Sequence, residues 1–311
     1  MNLLEVKDLK KSFKKIDAVK AISFNVKKGE ILGLLGPNGA GKSTTISMIS
    51  TLIKPEGGTI YYDGKDIAKA PKSIQKNLGY VPQEIALYPM LTGKENMVFW
   101  GKSYGLKGKE LKERVEEVSK IIGIDDRLKD KVKTYSGGMK RRLNIGVALL
   151  HNPELIIMDE PTVGIDPQSR NHILDTVLAL NKKGMTVIYT SHYMEEVEYL
   201  CNRICIMDQG EIIAEGSKES LIASIADGQE IHLKLQEVDE DLVLSIAKID
   251  TVKEAILVDG LIVVKAEEDQ TIFKKIIECI NGASGNILSM DLNEPNLEKV
   301  FLKLTGRALR D

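Results

Sequence analysis

The segment Gly36–Ser43 has the residue types and spacing of a phosphate-binding loop. Its sequence, GPNGAGKS, fits the pattern G-x-x-x-x-G-K-[ST]. The glycines let backbone N–H groups converge on phosphate oxygens, and the N-terminus of a following helix adds partial positive charge. We expect Lys42 to reach the β- and γ-phosphates and the Ser43 hydroxyl to bind Mg²⁺. The predicted nucleotide-binding residues here are Gly36, Pro37, Asn38, Gly39, Ala40, Gly41, Lys42, Ser43 and Thr44.

Two carboxylates follow the short apolar run Leu155–Met158. Asp159 and Glu160 therefore end a predicted buried strand, where ligands of open α/β sheets usually bind. Such a pair is common by itself, but here a phosphate-binding loop precedes it in the same chain. We expect Asp159 to hold Mg²⁺, directly or indirectly, and Glu160 to polarise the water that attacks the γ-phosphate.

A third segment, YSGGM at Tyr135–Met139, combines a helix-capping serine with two glycines. Ser136 can cap the next helix, and Gly137 and Gly138 leave its unpaired N–H groups open to an anion. A plain capped helix start is the alternative. Together with the phosphate loop, this segment predicts an ATP site that a second copy of the chain completes, which indicates an ATP-driven clamp rather than a simple phosphotransferase.

A mainly parallel sheet is predicted to position these residues. The run Ile31–Leu35 predicts a buried strand directly before the phosphate loop, and a helix is predicted from Lys42 to about Leu52. This order of strand, loop and helix argues against an ordinary glycine turn. Alternating strands and helices favour an α/β fold with helices on both faces. The other elements predicted for this part are strands at Leu3–Leu9, Ala21–Val26 and Thr186–Thr190, a helix at Gln168–Leu180, and a hairpin at Ile204–Ala214 around Asp208-Gln209-Gly210.

One further predicted region is inserted into this core, and another follows it. Residues 83–150 have little strand signal and the helical apolar spacing of Lys109–Ile122, so we expect an inserted helical subdomain at about 84–150. After a short helix at Lys218–Ile225 and a turn at Asp227-Gly228, the predicted order is β-α-β-β-α-β, a small ferredoxin-like α+β domain. Its elements are Glu230–Leu235, Asp239–Lys248, a hairpin across Asp259-Gly260, Asp269–Asn281 and Asn286–Leu292. The predicted domains are residues 1–217 and 218–311.

Composition excludes several classes of function. The 311 residues include 43 Lys and Arg against 45 Asp and Glu, and this near balance predicts no nucleic-acid partner. Sparse cysteines favour a reducing cytosol, and the spacing of Cys201 and Cys205 predicts buried thiols rather than a zinc site. The N-terminus lacks the apolar core of a signal peptide, and no segment approaches the roughly 20 apolar residues that cross a bilayer. Any membrane role therefore requires a partner.

In their order along the chain, these motifs resemble the nucleotide-binding subunit of an ATP-binding-cassette (ABC) transporter. The resemblance covers about Leu3–Ser217 and implies an ABC ATPase with the P-loop NTPase fold that uses ATP and Mg²⁺. It further implies that Phe13 stacks on adenine, that Gln83 senses Mg²⁺ and the γ-phosphate, and that His192 contacts the γ-phosphate and orients water. Asp166 would cross the dimer interface. A half-buried aromatic, a solvated loop glutamine and a structural histidine are the plainer alternatives.

The resemblance also implies a head-to-tail dimer, of two copies or of this chain and a relative, with two nucleotides between them. ATP binding closes such a dimer and hydrolysis opens it. Tyr135 and Met139 stand where the family usually has Leu and Gln, and Ile165 where it has Leu, but the phosphate-facing residues remain. Lys140, Arg141 and Arg142 are expected only to solvate their helix. Each site would combine Phe13, Lys42, Ser43, Gln83, Asp159, Glu160 and His192 of one chain with Ser136, Gly137 and Gly138 of the other.

The segment Asn293–Gly306 resembles the closing helix of exporter ATPases for antibiotic, bacteriocin or lipid-like substrates. This resemblance implies efflux through a separate integral membrane permease, with the ATPase on the cytoplasmic face of the membrane. The aromatic-rich segment Ile85–Gly105 then contacts the permease at Tyr88 or its neighbours, unless its aromatics only fill the subdomain core. A soluble ABC-family ATPase in translation or DNA repair, and a module that uses ATP only as a switch, are the alternatives. The choice between homodimer and heterodimer stays open.

Overall fold

The computed structural model describes residues 1–225, 228–267, 269–283, 285–293 and 296–306. Contacts between Cα atoms divide the chain into two compact units. The first contains Met1–Glu219 and, of the described residues, 304–306; the second contains Ser220–Lys303. Asp227, Glu294 and Pro295, which belong to the predicted turn and the predicted closing segment, lie outside the described residues.

The first unit alternates strands and helices. Its elements are β1 (Asn2–Phe13), β2 (Ile16–Lys27), β3 (Ile31–Leu35), α1 (Lys42–Ile49), β4 (Gly57–Tyr62), β5 (Lys65–Asp66), α2 (Pro71–Gln75), β6 (Leu78–Val81), α3 (Gly93–Ser103), α4 (Gly108–Ile121), α5 (Gly137–Leu149), β7 (Leu155–Asp159), α6 (Pro167–Lys182), β8 (Thr186–Ser191), α7 (Met194–Leu200), β9 (Arg203–Asp208) and β10 (Glu211–Gly216). A further helix, α8 (Lys218–Ala223), follows.

The predicted parallel sheet is present. Among the described residues, its six strands lie in the order β10-β9-β3-β8-β7-β6, and all neighbours are parallel except the β9–β10 hairpin. β7 is buried on both faces, as its apolar run predicts. Leu155 and Ile157 belong to one core cluster, and Ile156 and Met158 belong to the other. The sheet thus separates two cores and brings the ends of β3, β7 and β8 to one edge.

A second, antiparallel sheet in this unit was not predicted. Its order is β2-β1-β4-β5. β1 and β2 extend beyond the predicted Leu3–Leu9 and Ala21–Val26 because they pair with each other over nearly their whole length, with several register shifts. β4 then pairs with β1 although β2, β3 and α1 lie between them in the chain, a contact that local patterns do not reveal. The predicted helix to Leu52 was too long, since α1 ends at Ile49 and Thr51 adopts a φ of 60°.

The helices α3, α4 and α5 lie between β6 and β7, and a separate helical subdomain at about 84–150 stays a prediction. Thr92 and Glu95 form a capping box at the start of α3. α4 buries Leu111, Val115 and Val118 on one face, which confirms the apolar spacing seen in the sequence. Within the described part of the chain, no helix combines the length and apolar character needed to cross a membrane.

The second unit has the predicted order β-α-β-β-α-β. Its elements are β11 (Gln229–Leu235), α9 (Glu240–Ala247), β12 (Val252–Val258), β13 (Leu261–Ala266), α10 (Ile272–Gly282) and β14 (Ile287–Leu292), followed by α11 (Leu297–Thr305). The strands form an antiparallel sheet in the order β12-β13-β11-β14. α10 places Ile272, Ile276 and Ile280, four residues apart, in the core. A domain boundary at residue 217 stays a prediction.

Candidate functional site

The phosphate loop joins β3 to α1 at the edge of the six-stranded sheet. Gly41, the N-cap of α1, has a φ of 102° and no side-chain cap hydrogen bond among the described residues. A Cβ atom at Gly41 would lie 2.4 Å from the carbonyl oxygen of Ala18. Only glycine therefore fits this backbone, and the first N–H groups of α1 remain available to an anion.

A cavity of about 550 Å³ lies against this loop. It is lined by Ile16, Asp17, Ala18, Lys20, Pro37, Gly39, Ala40, Gly41, Lys42, Ser43, Thr44 and Gln209. Phe13 does not line it. Its ring is about half exposed at the end of β1, and Phe13 pairs with Ile16 on β2. Adenine stacking by Phe13 therefore remains a prediction, although Ile16 places the end of β1 beside the cavity.

Lys42 is buried at the floor of this loop, with only 4% of its surface exposed. Its ammonium group donates hydrogen bonds to the carbonyl oxygens of Gly36 (2.6 Å) and Pro37 (3.1 Å). It lies 3.6 Å from Oε1 of Glu160. Burial lowers the pKa of Lys42, while Glu160 and Asp159 oppose that change. The two carboxylates thus favour the charged form that a phosphate ligand requires.

Asp159 ends β7 and is also buried. Its Oδ1 accepts a 2.8 Å hydrogen bond from the hydroxyl of Thr190 on β8. Burial raises the pKa of Asp159, although Thr190 and Ser43 act in the opposite direction. That Ser43 and Asp159 share a magnesium site stays a prediction. Thr190 was not predicted, but it follows from the parallel pairing of Asp159 with Thr190.

The side chains of the other predicted catalytic residues, Lys42, Gln83 and His192, all lie close to the carboxylate of Glu160. Its backbone has a φ of 45°, and its N–H donates a 2.9 Å hydrogen bond to Oγ1 of Thr190. Gln83 Nε2 donates to Glu160 Oε2 at 3.3 Å. His192 Nδ1 lies 3.3 Å from the same oxygen, within ion-pair distance, but makes no hydrogen bond of good geometry among the described residues. With Lys42, these side chains surround one buried carboxylate.

Ser136 and the glycines after it lie elsewhere in the chain's own fold. Ser136 caps α5, and its Oγ accepts a 3.2 Å hydrogen bond from Met139 N–H. Ser136 and Gly137 are exposed, and neither lines the cavity at the phosphate loop. The structure therefore does not bring them to the ATP site of their own chain. Tyr135, the departure from the usual leucine, is buried and donates a 2.7 Å hydrogen bond to the Arg127 carbonyl.

Asp166 caps α6 and packs beside α5. Its Oδ1 accepts a 2.9 Å hydrogen bond from Ser169 N–H, and this bond holds the pKa of Asp166 below its usual range. A Cβ atom at Gly138 would lie 2.0 Å from Ser169 Oγ and 3.3 Å from Asp166 Oδ2. The small size of Gly138 thus allows the predicted interface loop to lie against the start of α5.

Arg141 corrects one expectation from the sequence. It does not solvate α5 but is 4% exposed. Its guanidinium donates hydrogen bonds to the carbonyl oxygens of Pro82 (2.8 Å) and Gln83 (2.6 Å). Arg142 likewise donates to the Gly123 carbonyl at 2.7 Å. The spacing along the sequence could have predicted this burial, because Arg141 shares a helical face with the apolar residue Ile145, four positions on. Ile145 is indeed buried.

Residues 19–163 match the family model described as "ABC transporter". The linearmycin resistance ATP-binding protein LnrL of Bacillus subtilis (strain 168) is 51% identical over 99% of this chain and 100% of its own length. The daunorubicin/doxorubicin resistance ATP-binding protein DrrA of Streptomyces peucetius is 34% identical over 99% of this chain and 94% of its own. A Nod factor export ATP-binding protein I of Paraburkholderia xenovorans (strain LB400) is 35% identical over 99% and 98%.

Solved structures agree with these relatives. The ATP-binding subunit of an ABC transporter has a TM-score of 0.65 and 32% identity, covering 71% of this chain and 92% of its own. A dimeric ATP-binding cassette in a post-hydrolysis state with ADP and Pi has a TM-score of 0.63 and 29% identity, covering 69% of this chain and 98% of its own. The predicted ABC ATPase fold is confirmed. This chain belongs to the ABC transporter family as an ATP-binding, ATP-hydrolysing subunit.

Proposed function

We propose that this subunit forms a dimer that closes on two ATP molecules and opens after hydrolysis. Its motion would drive efflux of an antibiotic, peptide or lipid-like compound through a separate membrane permease. The observation that carries the proposal is the convergence of Lys42, Gln83 and His192 on Glu160, beside the phosphate loop. Side chains suited to hydrolysis at this position favour an ATP-driven motor over a module that only binds ATP as a switch.

The relatives support the substrate class and the direction of transport. Two are named as resistance proteins for linearmycin and for daunorubicin or doxorubicin, and a third as a Nod factor export protein. All three match nearly the whole chain, including its second unit. These names favour an exporter over the alternative of an ATPase in translation or DNA repair. The proposed site of action is the cytoplasmic face of the membrane, where the permease would hold the ATPase.

Glu160 is the proposed general base. A water molecule positioned by Gln83 and His192 would attack the γ-phosphate and give its proton to Glu160. Lys42 would offset the negative charge that builds on the phosphate oxygens. Phosphoryl transfer depends mainly on such positioning and charge compensation, so residues that converge within 3.3–3.6 Å of one carboxylate suit the reaction.

Ser43, Gln83 and Asp159 fit a magnesium ion. Their hydroxyl, amide and carboxylate oxygens are the hard ligands that Mg²⁺ prefers. Burial disfavours the charge on Asp159, and a divalent cation would compensate it. When bound with ATP, the cation would neutralise charge on the β- and γ-phosphates.

The exposed start of α5 supports the proposed dimer. Ser136 and Gly137 present helix N–H groups on the surface rather than into their own ATP site. A second chain arranged head to tail would place these groups on the γ-phosphate that Lys42 holds. Because both halves of the site are intact in one chain, a homodimer suffices; a heterodimer with a related ATPase is the other arrangement.

An aromatic patch near Gln83 is the proposed contact for the permease. Tyr88, Met90 and Phe99 are 44%, 63% and 45% exposed, and the rings of Tyr88 and Phe99 meet edge to face at 4.8 Å. Trp100, by contrast, packs against the core, so the segment fills the subdomain only in part. Arg141 donates a hydrogen bond to the backbone carbonyl of Gln83, five residues before Tyr88. A movement of Gln83 at the ATP site would therefore also displace this patch.

Two variants test the hydrolytic site. We expect Glu160→Gln to bind ATP but to lose turnover by about 10²-fold or more, as removal of a general base usually does. Lys42→Ala should instead weaken ATP binding itself, measured by calorimetric titration. Near-normal turnover in Glu160→Gln would remove Glu160 from the proposed role.

A pull-down tests the partner. Tagged Glu160→Gln protein is recovered from detergent-solubilised membranes with ATP, and the wild type serves as the control. We expect a multi-span membrane protein to co-elute, and cysteine crosslinking from position 88 to reach it. Recovery of ribosomes, of DNA or of no partner would contradict the transporter role, and crosslinks that avoid the patch would contradict only the contact.

A further inference from the structure

Glu196 on α7 is a buried carboxylate outside the residues discussed so far. It is 2% exposed. Its Oε2 accepts hydrogen bonds from the hydroxyl groups of Thr162 (2.8 Å), Tyr189 (2.9 Å) and Ser191 (2.9 Å). All three donors are themselves buried, with 1% exposure or less. One oxygen atom thus binds side chains from two separate parts of the fold, the loop after β7 and the strand β8.

These donors flank the proposed catalytic elements. Thr162 is the second residue of the loop of residues 161–166, which ends at Asp166, the predicted interface residue. Ser191 directly precedes His192, and its Oγ also accepts a 2.9 Å hydrogen bond from Tyr193 N–H on the other side of that histidine. Ser191 therefore links the backbone on both sides of His192 to Glu196.

The second oxygen of Glu196 faces α6. Arg170 Nε lies 3.5 Å from Oε1, and neither atom makes a hydrogen bond among the described residues. The guanidinium also lies over the ring of Tyr193, 4.9 Å from its centroid. α6 begins at the Asp166 cap. Charge attraction at Oε1 therefore ties the start of α6 to the same carboxylate.

We propose that Glu196 is a positioning residue that couples the interface loop of residues 161–166 to His192. A change in the loop on closure of the dimer would move Thr162, and Glu196 would transmit that movement to Ser191 and so to the imidazole. The proposal rests on the role proposed above for His192 and on the prediction that Asp166 lies at the dimer interface. Glu196 touches neither the phosphate loop nor Glu160 in the contacts found among the described residues.

The chemistry of the cluster requires an acceptor at position 196. An ionised carboxylate has only acceptor sites, so it can take three hydroxyl donors at one oxygen. Burial, reinforced by the charge of Glu196, raises the pKa of Tyr189, which keeps that phenol a donor. In Glu196→Gln, the amide oxygen can keep weaker bonds to the hydroxyls, but its NH₂ group would face Arg170, donor against donor.

The central test compares Glu196→Gln with Glu195→Gln. Glu195 is the exposed neighbour, so the control makes the same chemical change without touching the cluster. We expect Glu196→Gln to lower kcat for ATP hydrolysis by about 10- to 100-fold, the scale for slight misplacement of catalytic groups. ATP affinity, titrated in the non-hydrolysing Glu160→Gln background, should change by less than about 2-fold. Glu195→Gln should match the wild type.

A second pair of variants distinguishes the loss of one hydrogen bond to Glu196 from a general loss of folding. Thr162→Ser keeps the hydroxyl that Glu196 accepts, and Thr162→Val removes it at nearly constant volume. We expect Thr162→Ser to retain kcat and Thr162→Val to lower it, with both variants unfolding at temperatures close to the wild type. Equal kcat in the two variants, or normal kcat in Glu196→Gln, would overturn the proposal.

The outcome also separates this inference from the proposed function. His192→Ala is measured in parallel. If it loses turnover while the Glu196 and Thr162 variants retain theirs, the catalytic site stands and the coupling role of Glu196 is wrong. If His192→Ala keeps turnover, the proposed role of His192 is wrong, and the coupling role of Glu196 that depends on it is wrong as well. Losses of kcat that track losses of thermal stability in both variant series would show a structural role only and would also contradict the inference.

Discussion

Replacing Arg141 with methionine should loosen the segment that carries Gln83. Arg141 is buried and donates two hydrogen bonds, to the Pro82 and Gln83 carbonyls. Hydrogen bonds to charged groups contribute about 1.5–3 kcal/mol each. Burial lowers the pKa of Arg141, which marks a desolvation cost that methionine avoids. The free energy that holds this segment closed should therefore fall by about 2–3 kcal/mol, less than the sum of the two hydrogen-bond contributions.

A loss of that size raises the open population of the segment about 30- to 150-fold, since each 1.4 kcal/mol is a factor of ten. Amide hydrogen exchange can measure it. The N–H of Ala86 donates to Asn144 Oδ1 at 3.2 Å and that of Tyr88 to Asn96 Oδ1 at 2.8 Å. Both amides should exchange faster in Arg141→Met under conditions where exchange follows the opening equilibrium.

The control is Lys140→Met, which makes a similar change at the neighbouring, more exposed position. Its exchange at residues 85–92 should equal that of the wild type. We also expect Arg141→Met to lower kcat, because Gln83 contacts Glu160, while Lys140→Met should not. Equal exchange in the two variants would refute the view that Arg141 anchors Gln83.

Three further perturbations follow from buried contacts. Tyr135→Phe removes the hydroxyl that donates to the Arg127 carbonyl and should cost about 1–2 kcal/mol, measured by chemical denaturation. Ile276→Ala, in the core of the second unit, should cost about 2–5 kcal/mol and lower the unfolding temperature of that unit. Burial opposes ionisation of Glu30, but Arg203 and the Lys27 N–H hold its pKa below 4.5. The contribution of ionised Glu30 to the free energy of unfolding should be present above pH 4.5 and be lost as pH falls through its lower pKa in the folded protein. The free energies of unfolding of Glu30→Gln and the wild type should therefore differ less at acid pH.

Much of the candidate site could be predicted because its features are local. The phosphate loop depends on glycine conformations and on the strand and helix that adjoin it. Ser136 and Asp166 cap their helices through N–H groups three residues on, and such bonds follow from sequence spacing alone. The amphipathic helices α4 and α10 show their buried faces in their repeats. The roles of these residues in catalysis remain predictions.

Other features depend on contacts between distant segments. The antiparallel sheet was missed because β1 pairs with β4 although β2, β3 and α1 lie between them in the chain, and nothing in either strand specifies its partner. Arg141 was misread as a solvating residue because burial of a charge depends on which carbonyls lie opposite it. Those carbonyls are almost sixty residues away.

The sequence by itself determined the family, the phosphate loop with its adjoining strand and helix, the capped helices and the order of elements in the second unit. Each of these follows from residues within a few positions of one another, where backbone geometry limits the outcome. Only the tertiary structure decided that Gln83 and His192 meet at Glu160, and that Glu196 joins Thr162 to Ser191. These buried polar contacts arise when the sheet brings strand ends to one edge, and burial then requires each polar group to find a partner.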